Sequence, residues 1–311
     1  MEEATLIVTL IPDDNKGRAE RAFRLPHNKN RYLEPREWIP EGPTISSRDS
    51  TPGPSDDPNQ PCEVVNDNYN FTHRIRLGFD KKLQNPVEGF SFGTGEACDV
   101  LLGYRGAAGI TRKHFCIAFD EKERLVLNDS STHGTAVSYN GQGEEEWRHH
   151  FTWVLDLKKE DGSLWDVKVH LQNGLTFKVQ FASHETCKAE YAANLAEFKN
   201  SRAALPPLDN LGLKSDLSTA RPSQAVTPRQ YPIYIREKLL GKGSSGVVDM
   251  VVNVSTGEKN ARKTYLEPKW YGSRQDKKQN KEEWVAGILQ EIRIMRDHPH
   301  VSLDFLMRNR F

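Results

Sequence analysis

Short apolar runs separated by turn residues dominate the middle of this chain. Residues 4–12 (ATLIVTLIP) read as alternating in the manner of a strand, which Pro12-Asp13-Asp14-Asn15 breaks. From residue 69 onward the same texture repeats: Phe71–Leu77, Gly89–Phe92, Asp99–Leu102, His114–Phe119, Leu125–Asn128, Thr135–Tyr139, Phe151–Leu155, Trp165–Leu171 and Leu175–Phe181. Period-two alternation and β-branched residues in runs this short, with turns such as Asp120-Glu121-Lys122 and Asn140-Gly141 between them, predict an all-β sandwich. Gln172-Asn173-Gly174-Leu175 is the clearest hairpin turn, because Asn-Gly accepts positive φ. Residues 183–200 change period: Tyr191, Leu195 and Phe198 fall on one helical face, with Ser183 as a candidate cap.

A second block begins at Tyr234. Tyr234–Leu240, Val247–Val254 and Asn260–Tyr265 read as three strands, the last two joined by a turn at Ser255-Thr256-Gly257-Glu258. A polar, basic insertion (Pro268 to Lys281) follows, and then a helix over Glu282–Arg296. Its apolar positions Trp284, Val285, Ile288, Leu289, Ile292 and Met295 recur at helical spacing. The expected fold class is mainly β, a sandwich plus a small antiparallel sheet with one helix.

Composition sets boundaries between these blocks. Residues 40–61 are rich in Pro, Gly, Ser and Asp, and residues 201–229 are polar and Pro-bearing; neither stretch buries enough apolar surface to fold. The expected organisation is residues 1–68 as an N-terminal strand and Pro-rich leader, 69–182 as the sandwich, 183–200 as a short helix, 201–230 as a linker and 231–311 as a second unit. Forty-three Lys plus Arg balance 43 Asp plus Glu, so no global charge attracts nucleic acid or a membrane surface. Cys62, Cys98, Cys116 and Cys187 are scattered without metal-ligand spacing. The start, Met1-Glu2-Glu3-Ala4, is acidic, and no apolar stretch reaches spanning length. An intracellular protein, nuclear or cytoplasmic, is expected.

The candidate chemistry lies in turns. Phe92-Gly93-Thr94, Ile110-Thr111-Arg112-Lys113-His114-Phe115 and Asp129-Ser130-Ser131-Thr132-His133-Gly134-Thr135 gather hydroxyls, a cation and a glycine. Such sets supply the several donors and one fixed positive charge that a phosphate needs. The ordered motifs FxxGxxxxxDVLL, ITRKHF and NDSSTHGT resemble the forkhead-associated (FHA) domain, a phosphothreonine-reading β-sandwich. The resemblance places Thr111 and Arg112 at the family's phosphate-touching pair and Thr132 and His133 where the phosphopeptide approaches. Gly93, His114, Gly134 and Thr135 match structural positions. Two departures are visible: the family's Gly-Arg is Gly93-Thr94 here, and its peptide-gripping asparagine is His133. Losing one charge-assisted contact costs roughly 1.5–3 kcal/mol. Arg112, and less directly Arg105, are the candidates to compensate, and a weak or moderately selective reader of phosphothreonine proteins is expected.

In the second block, Gly241-Lys242-Gly243-Ser244-Ser245-Gly246-Val247-Val248 carries G-x-G-x-x-G-x-V. The glycines let backbone N–H groups approach phosphate oxygens. A Rossmann fingerprint would open a helix after Gly246, whereas the β-branched run Val247–Val254 argues for a β-hairpin lid. Strand, glycine loop, strand, turn and strand resemble the small lobe of a eukaryotic protein kinase. That likeness puts Lys263 of Ala261-Arg262-Lys263 on the phosphates of ATP, Glu291 as its helix partner, and His298-Pro299-His300-Val301 in the following turn. Gly241, Lys242, Gly243, Ser244, Ser245, Gly246 and Val248 would form the ATP lid. ATP, with Mg in a complete kinase, is the implied cofactor, and the FHA-like part requires none. No H-R-D, D-F-G or A-P-E motif is present, so no catalytic or metal-ligating residue is assigned and the chain is expected to be inactive alone. Two functions remain: a truncated representative of FHA-bearing serine/threonine kinases, or a non-catalytic phosphopeptide-binding adaptor with a vestigial kinase fragment. Ser223-Gln224 and Thr227-Pro228 are candidate phosphorylation sites in the linker.

Overall fold

A computed structural model describes residues 2–35, 72–203, 231–243 and 246–297. In chain order the elements are α1 (Glu2–Thr5), β1 (Leu6–Pro12), α2 (Arg18–Phe23), a 3-10 turn (Pro26–Asn30), β2 (Tyr32–Leu33) and β3 (Arg74–Gly78). Then come β4 (Phe90–Gly93), β5 (Val100–Leu101), β6 (Phe115–Phe119), β7 (Leu125–Asp129), β8 (Thr135–Tyr139), β9 (Thr152–Val154), β10 (Val167–Leu171), β11 (Thr176–Phe181) and α3 (Lys188–Ala203). The second block holds β12 (Tyr234–Lys242), β13 (Gly246–Asn253), β14 (Lys259–Tyr265) and α4 (Arg274–Asp297). The architecture is mainly β.

Two sheets form the sandwich, one in the order β2-β3-β1-β11-β10-β8 and the other β5-β4-β6-β7-β9. Alternation explains most of it. In β10 and β11, Val167, Val169, Phe177 and Val179 are buried, while Lys168 and Lys178 point out to Asp13 and Asp166, each at 2.7 Å. Aromatic rings fill the space between the sheets: Phe92 stacks on Phe115 at 4.6 Å, and Phe115 lies 6.3 Å from Phe177. The Asn173-Gly174 turn closes with Gly174 at φ +77°, its N–H donating to the Leu171 carbonyl at 2.8 Å.

The sandwich begins earlier than residue 69. β1 lies inside the six-stranded sheet, paired with β3 on one side and β11 on the other, so residues 6–12 are integral to it. Its run LIVTLIP is buried from Ile7 to Ile11, so the alternation read for residues 4–12 does not hold: both faces of the strand are covered. α2 follows and inserts Phe23 against Phe177 at 6.0 Å. The Pro-rich stretch 40–61 and the linker 204–230 lie outside the described residues.

α3 opens at Lys188, five residues after Ser183, so Ser183 does not cap it. The anticipated apolar face does form: Leu195 is buried, and Tyr191 and Phe198 pack on Phe79 at 5.4 and 5.5 Å. α4 starts at Arg274, eight residues before the expected Glu282, and takes in much of the basic insertion. The cause is a capping box: Ser273 Oγ donates to Asp276 Oδ2 at 2.7 Å and accepts from the Asp276 N–H at 3.3 Å.

The strands of the second block form their own antiparallel sheet, β12-β13-β14. Ile233, Ile235, Val252 and Val254 belong to the same buried cluster as the sandwich core. The Val154 N–H donates to the Val254 carbonyl at 2.8 Å, and Ser255 Oγ donates to the Thr152 carbonyl at 2.7 Å, so residues 254–255 continue the edge at β9. Gln142 acts as a strand substitute: its amide donates to the Arg236 carbonyl and accepts from the Arg236 N–H, both at 2.8 Å. Leu239, Leu240, Leu266, Leu289 and Ile294 remain exposed on this unit.

Candidate functional site

Three loops meet at one end of the sandwich: residues 94–99 after β4, 102–114 after β5 and 130–134 after β7. Backbone bonds fasten them together. The Thr94 N–H donates to the Thr111 carbonyl at 3.1 Å, Gly95 N–H to the Arg112 carbonyl at 2.8 Å, and Ser130 N–H to the His114 carbonyl at 2.9 Å. Gly93 makes the approach possible, because a Cβ there would sit 2.2 Å from the Arg112 carbonyl oxygen.

The site residues expected from the sequence divide into presented and withdrawn. Arg112, Thr132 and His133 are exposed, and Thr111 is half-buried. The Arg112 guanidinium has no hydrogen-bond or ion-pair partner among the described residues, whereas neighbouring Lys113 pairs with Glu88. Thr111 Oγ1 donates to the Lys113 carbonyl at 2.7 Å, which leaves its lone pairs as acceptors. Thr94 is withdrawn. Only 5% of it is exposed, and its hydroxyl donates to the Thr111 carbonyl at 3.3 Å. Thr94 therefore braces the loop carrying Thr111 rather than offering a group to a ligand.

His114 sits beneath these residues, fully buried, with Nδ1 accepting the Thr111 N–H at 3.1 Å. That bond requires an unprotonated Nδ1. Burial pushes its pKa below the usual histidine value, against the opposing pull of Asp129 and a hydrogen bond to Gly134.

The most heavily engaged residue of the site is one to which the motifs assign no role. Asp129 is 6% exposed and accepts four hydrogen bonds. Its Oδ1 takes the N–H groups of Ser131 and His150, both at 3.0 Å; its Oδ2 takes Ser131 Oγ at 2.8 Å and Thr135 Oγ1 at 2.6 Å. Ser131 Oγ in turn accepts the Gly134 N–H at 2.7 Å. The carboxylate thus shapes the turn that presents Thr132 and His133. The available signal is Asp followed at two and six residues by Ser and Thr, the pattern of a side chain bonding its own turn. A parallel knot holds the 94–99 loop: Asp99 Oδ2 accepts Ser91 Oγ at 2.6 Å and the Ser91 N–H at 2.9 Å.

At this end of the sandwich the exposed Arg112 guanidinium, without a partner among the described residues, stands with Thr111 and Thr132 on mutually fastened turns. Residues 90–146 match the family model described as FHA domain. The chain carries an FHA domain. The match spans β4 to the stretch after β8, and so covers all three FHA loops while leaving β1, β10 and β11 outside it. A search of curated proteins returns no match to the chain. Among the described residues, no helix is long and apolar enough to cross a membrane.

A second cluster lies on the small sheet. Lys263 Nζ is 2.5 Å from Glu291 Oε1, joining β14 to α4, and stands 4.6 Å over the Tyr265 ring. The hydrogen bond from Lys263 holds the Glu291 carboxyl below its usual range. Burial and Glu291 push Tyr265 up to about 12. Val248 faces Lys263 in the β13–β14 register, so the lysine sits directly across from the strand that follows the glycine loop. A Cβ at Gly241 or Gly243 would meet nothing within 4 Å, which leaves the backbone there bare; Gly246 has no such room, with the Thr264 carbonyl oxygen 2.5 Å away. Lys242 is exposed beside them. Ser244, Ser245 and the turn from His298 to Val301 lie outside the described residues, as does everything to Phe311.

Proposed function

We propose that the FHA domain reads phosphothreonine in partner proteins through Arg112, Thr111, Thr132 and His133, and that recognition of phosphorylated signalling proteins in the nucleus or cytoplasm is this chain's role. The observation that carries this reading is the Arg112 guanidinium, exposed and without a partner among the described residues, at the meeting point of three mutually fastened loops. A dianionic phosphate gains a charge-assisted bond there without breaking an existing ion pair. His133 supplies a ring donor where the family has an asparagine side chain, and Thr94 supplies no charge, so affinity rests more heavily on Arg112 than in a domain with two cations. Replacing Arg112 is therefore expected to weaken binding of a phosphothreonine peptide at least tenfold without moving the unfolding midpoint, since the side chain is exposed and its guanidinium is unpaired. Fluorescence anisotropy and a denaturant titration on Arg112→Ala check the two halves; unchanged affinity removes Arg112 from the site.

The Lys263–Glu291 pair supports a second reading, in which residues 234–297 bind ATP as a kinase small lobe does. Lys263 would take the phosphates, the bare backbone at Gly241 and Gly243 would cover them, and Glu291 would fix the lysine. ATP would supply the transferable phosphoryl group and its Mg the neutralising charge, in a protein that also has the second lobe. Exposed Leu239, Leu240 and Leu266 leave the nucleotide unprotected from water, so binding is expected to be weak. A fluorescent ATP analogue should bind the full chain and lose that binding in Lys263→Met. Equal binding by both would contradict the assignment and favour the adaptor alternative.

A further inference from the structure

Beside the phosphothreonine loops lies a cavity of about 370 Å³ that the functional reading does not use. Its floor is apolar, from Leu25, Leu102 and Leu175, and its rim carries Arg18, Arg21 and Tyr104. Three elements build it: α2, the loop after β5 and the turn between β10 and β11. The second of these is the loop that also carries Thr111 and Arg112. Gly103, at the cavity edge, lies against Thr94, with the position of a Cβ there 3.9 Å from Thr94 Cγ2.

Neither rim arginine is neutralised. Arg21 donates to the Lys16 carbonyl at 3.0 Å, and neither guanidinium pairs with a carboxylate among the described residues. The three acids of the same stretch are committed elsewhere, Asp13 to Lys168. Asp14 accepts the backbone N–H groups of Lys16, Arg18 and Ala19, and Glu20 pairs with Arg24 and His73. Tyr104 is 70% exposed, an aromatic face held in water at the rim. Two guanidiniums without a carboxylate partner among the described residues, and an exposed ring over an apolar floor, suit an anionic side chain with an aliphatic or aromatic stem.

We infer that this cavity is a second anion subsite, which takes an acidic or phosphorylated side chain from the same peptide that Arg112 engages. The inference rests on the phosphothreonine reading and deepens it: selectivity comes from a second negative charge rather than from the missing arginine at Thr94. The separate placement explains how a site with one cation at the phosphate gains discrimination.

Four peptides titrated into the full chain test it: one phosphothreonine with neutral flanks, the same peptide scanned with glutamate, a doubly phosphorylated version, and a plain-threonine peptide bearing only the second phosphate. The second charge should tighten binding about tenfold at its preferred position. Arg18→Ala combined with Arg21→Ala should erase that gain and leave the singly phosphorylated peptide unchanged. Glutamate and phosphate acting alike assigns the subsite to charge; phosphate alone assigns it to a phosphorylated residue. If the second charge adds nothing while phosphothreonine is still preferred over threonine, the subsite is overturned and the first reading stands. Amide resonances recorded with the last peptide separate the converse case. Movement at Gly103 and Gly174 without any phosphothreonine preference would keep the cavity and discard the first reading; no movement at either, with no gain elsewhere, discards the cavity.

Discussion

Asp129→Asn is expected to cost about 3 kcal/mol of stability and to lower phosphothreonine-peptide affinity at least tenfold. The carboxylate is buried and accepts from Ser131 N–H and Oγ, Thr135 Oγ1 and the His150 N–H. An amide of the same shape keeps one acceptor oxygen and turns a donor toward groups that are themselves donors. Stranding buried donors costs roughly 1–3 kcal/mol each, with more when the lost acceptor was charged. The loss falls on the turn that carries Thr132 and His133, so binding and stability decline together. Thr132→Ala separates the two: its side chain is exposed, and it should weaken binding while leaving the denaturant midpoint in place. If Asp129→Asn unfolded at the wild-type midpoint, the hydrogen-bond account of the turn would be wrong.

A second carboxylate should behave in the opposite way. Asp156 Oδ1 is enclosed without a hydrogen-bond partner among the described residues, and burial pushes the carboxyl pKa up from 3.8 to about 6. A folded-state pKa above the unfolded one means that the folded protein binds the proton more tightly. The penalty is absent below about pH 4, grows as pH rises through 6, and is complete above it. At about 1.36 kcal/mol per pH unit between the folded and unfolded values, it amounts to roughly 1–3 kcal/mol near pH 7.5. Asp156→Asn removes the charge and should raise the melting temperature by about 4–8 °C at pH 7.5, with little change at pH 4. His114 runs the other way, since its lowered pKa costs stability as pH falls below 6.5. For that reason the comparison must be variant against wild type at each pH, by calorimetry. A variant equally stabilised at both pH values would show that Asp156 acts through packing rather than charge.

Much of the sandwich is legible in the sequence because its strands alternate. Val167, Val169, Phe177 and Val179 announce a buried face, and Lys168 and Lys178 announce the other. What escapes is whatever lacks a local signature. β1 is buried on both sides, so the alternation read in its run LIVTLIP marks no face, and nothing in it says that its partners β3 and β11 lie far along the chain. Ile235, Val252 and Val254 read as ordinary strand residues, and Ile233 as the residue just before a strand. That they join the sandwich core depends on the edge at β9 and on Gln142, an inconspicuous polar residue until it meets the Arg236 backbone. The start of α4 is written in Ser273-Arg274-Gln275-Asp276, but the basic composition after it obscures the capping box. At the site, the motif order locates Thr111, Arg112, Thr132 and His133 on presented loops. It places Thr94 among the binders because a motif assigns a position, not a direction, and a short hydroxyl side chain at that position turns inward to the Thr111 carbonyl.

The claim that the FHA domain reads phosphate is tested most directly by isothermal titration of the full chain with one peptide in two forms, threonine phosphorylated and threonine plain. The account predicts saturable heat for the phosphorylated form, at least tenfold tighter than any binding of the plain form, and loss of that preference in Arg112→Ala. Equal affinity for the two forms would contradict it.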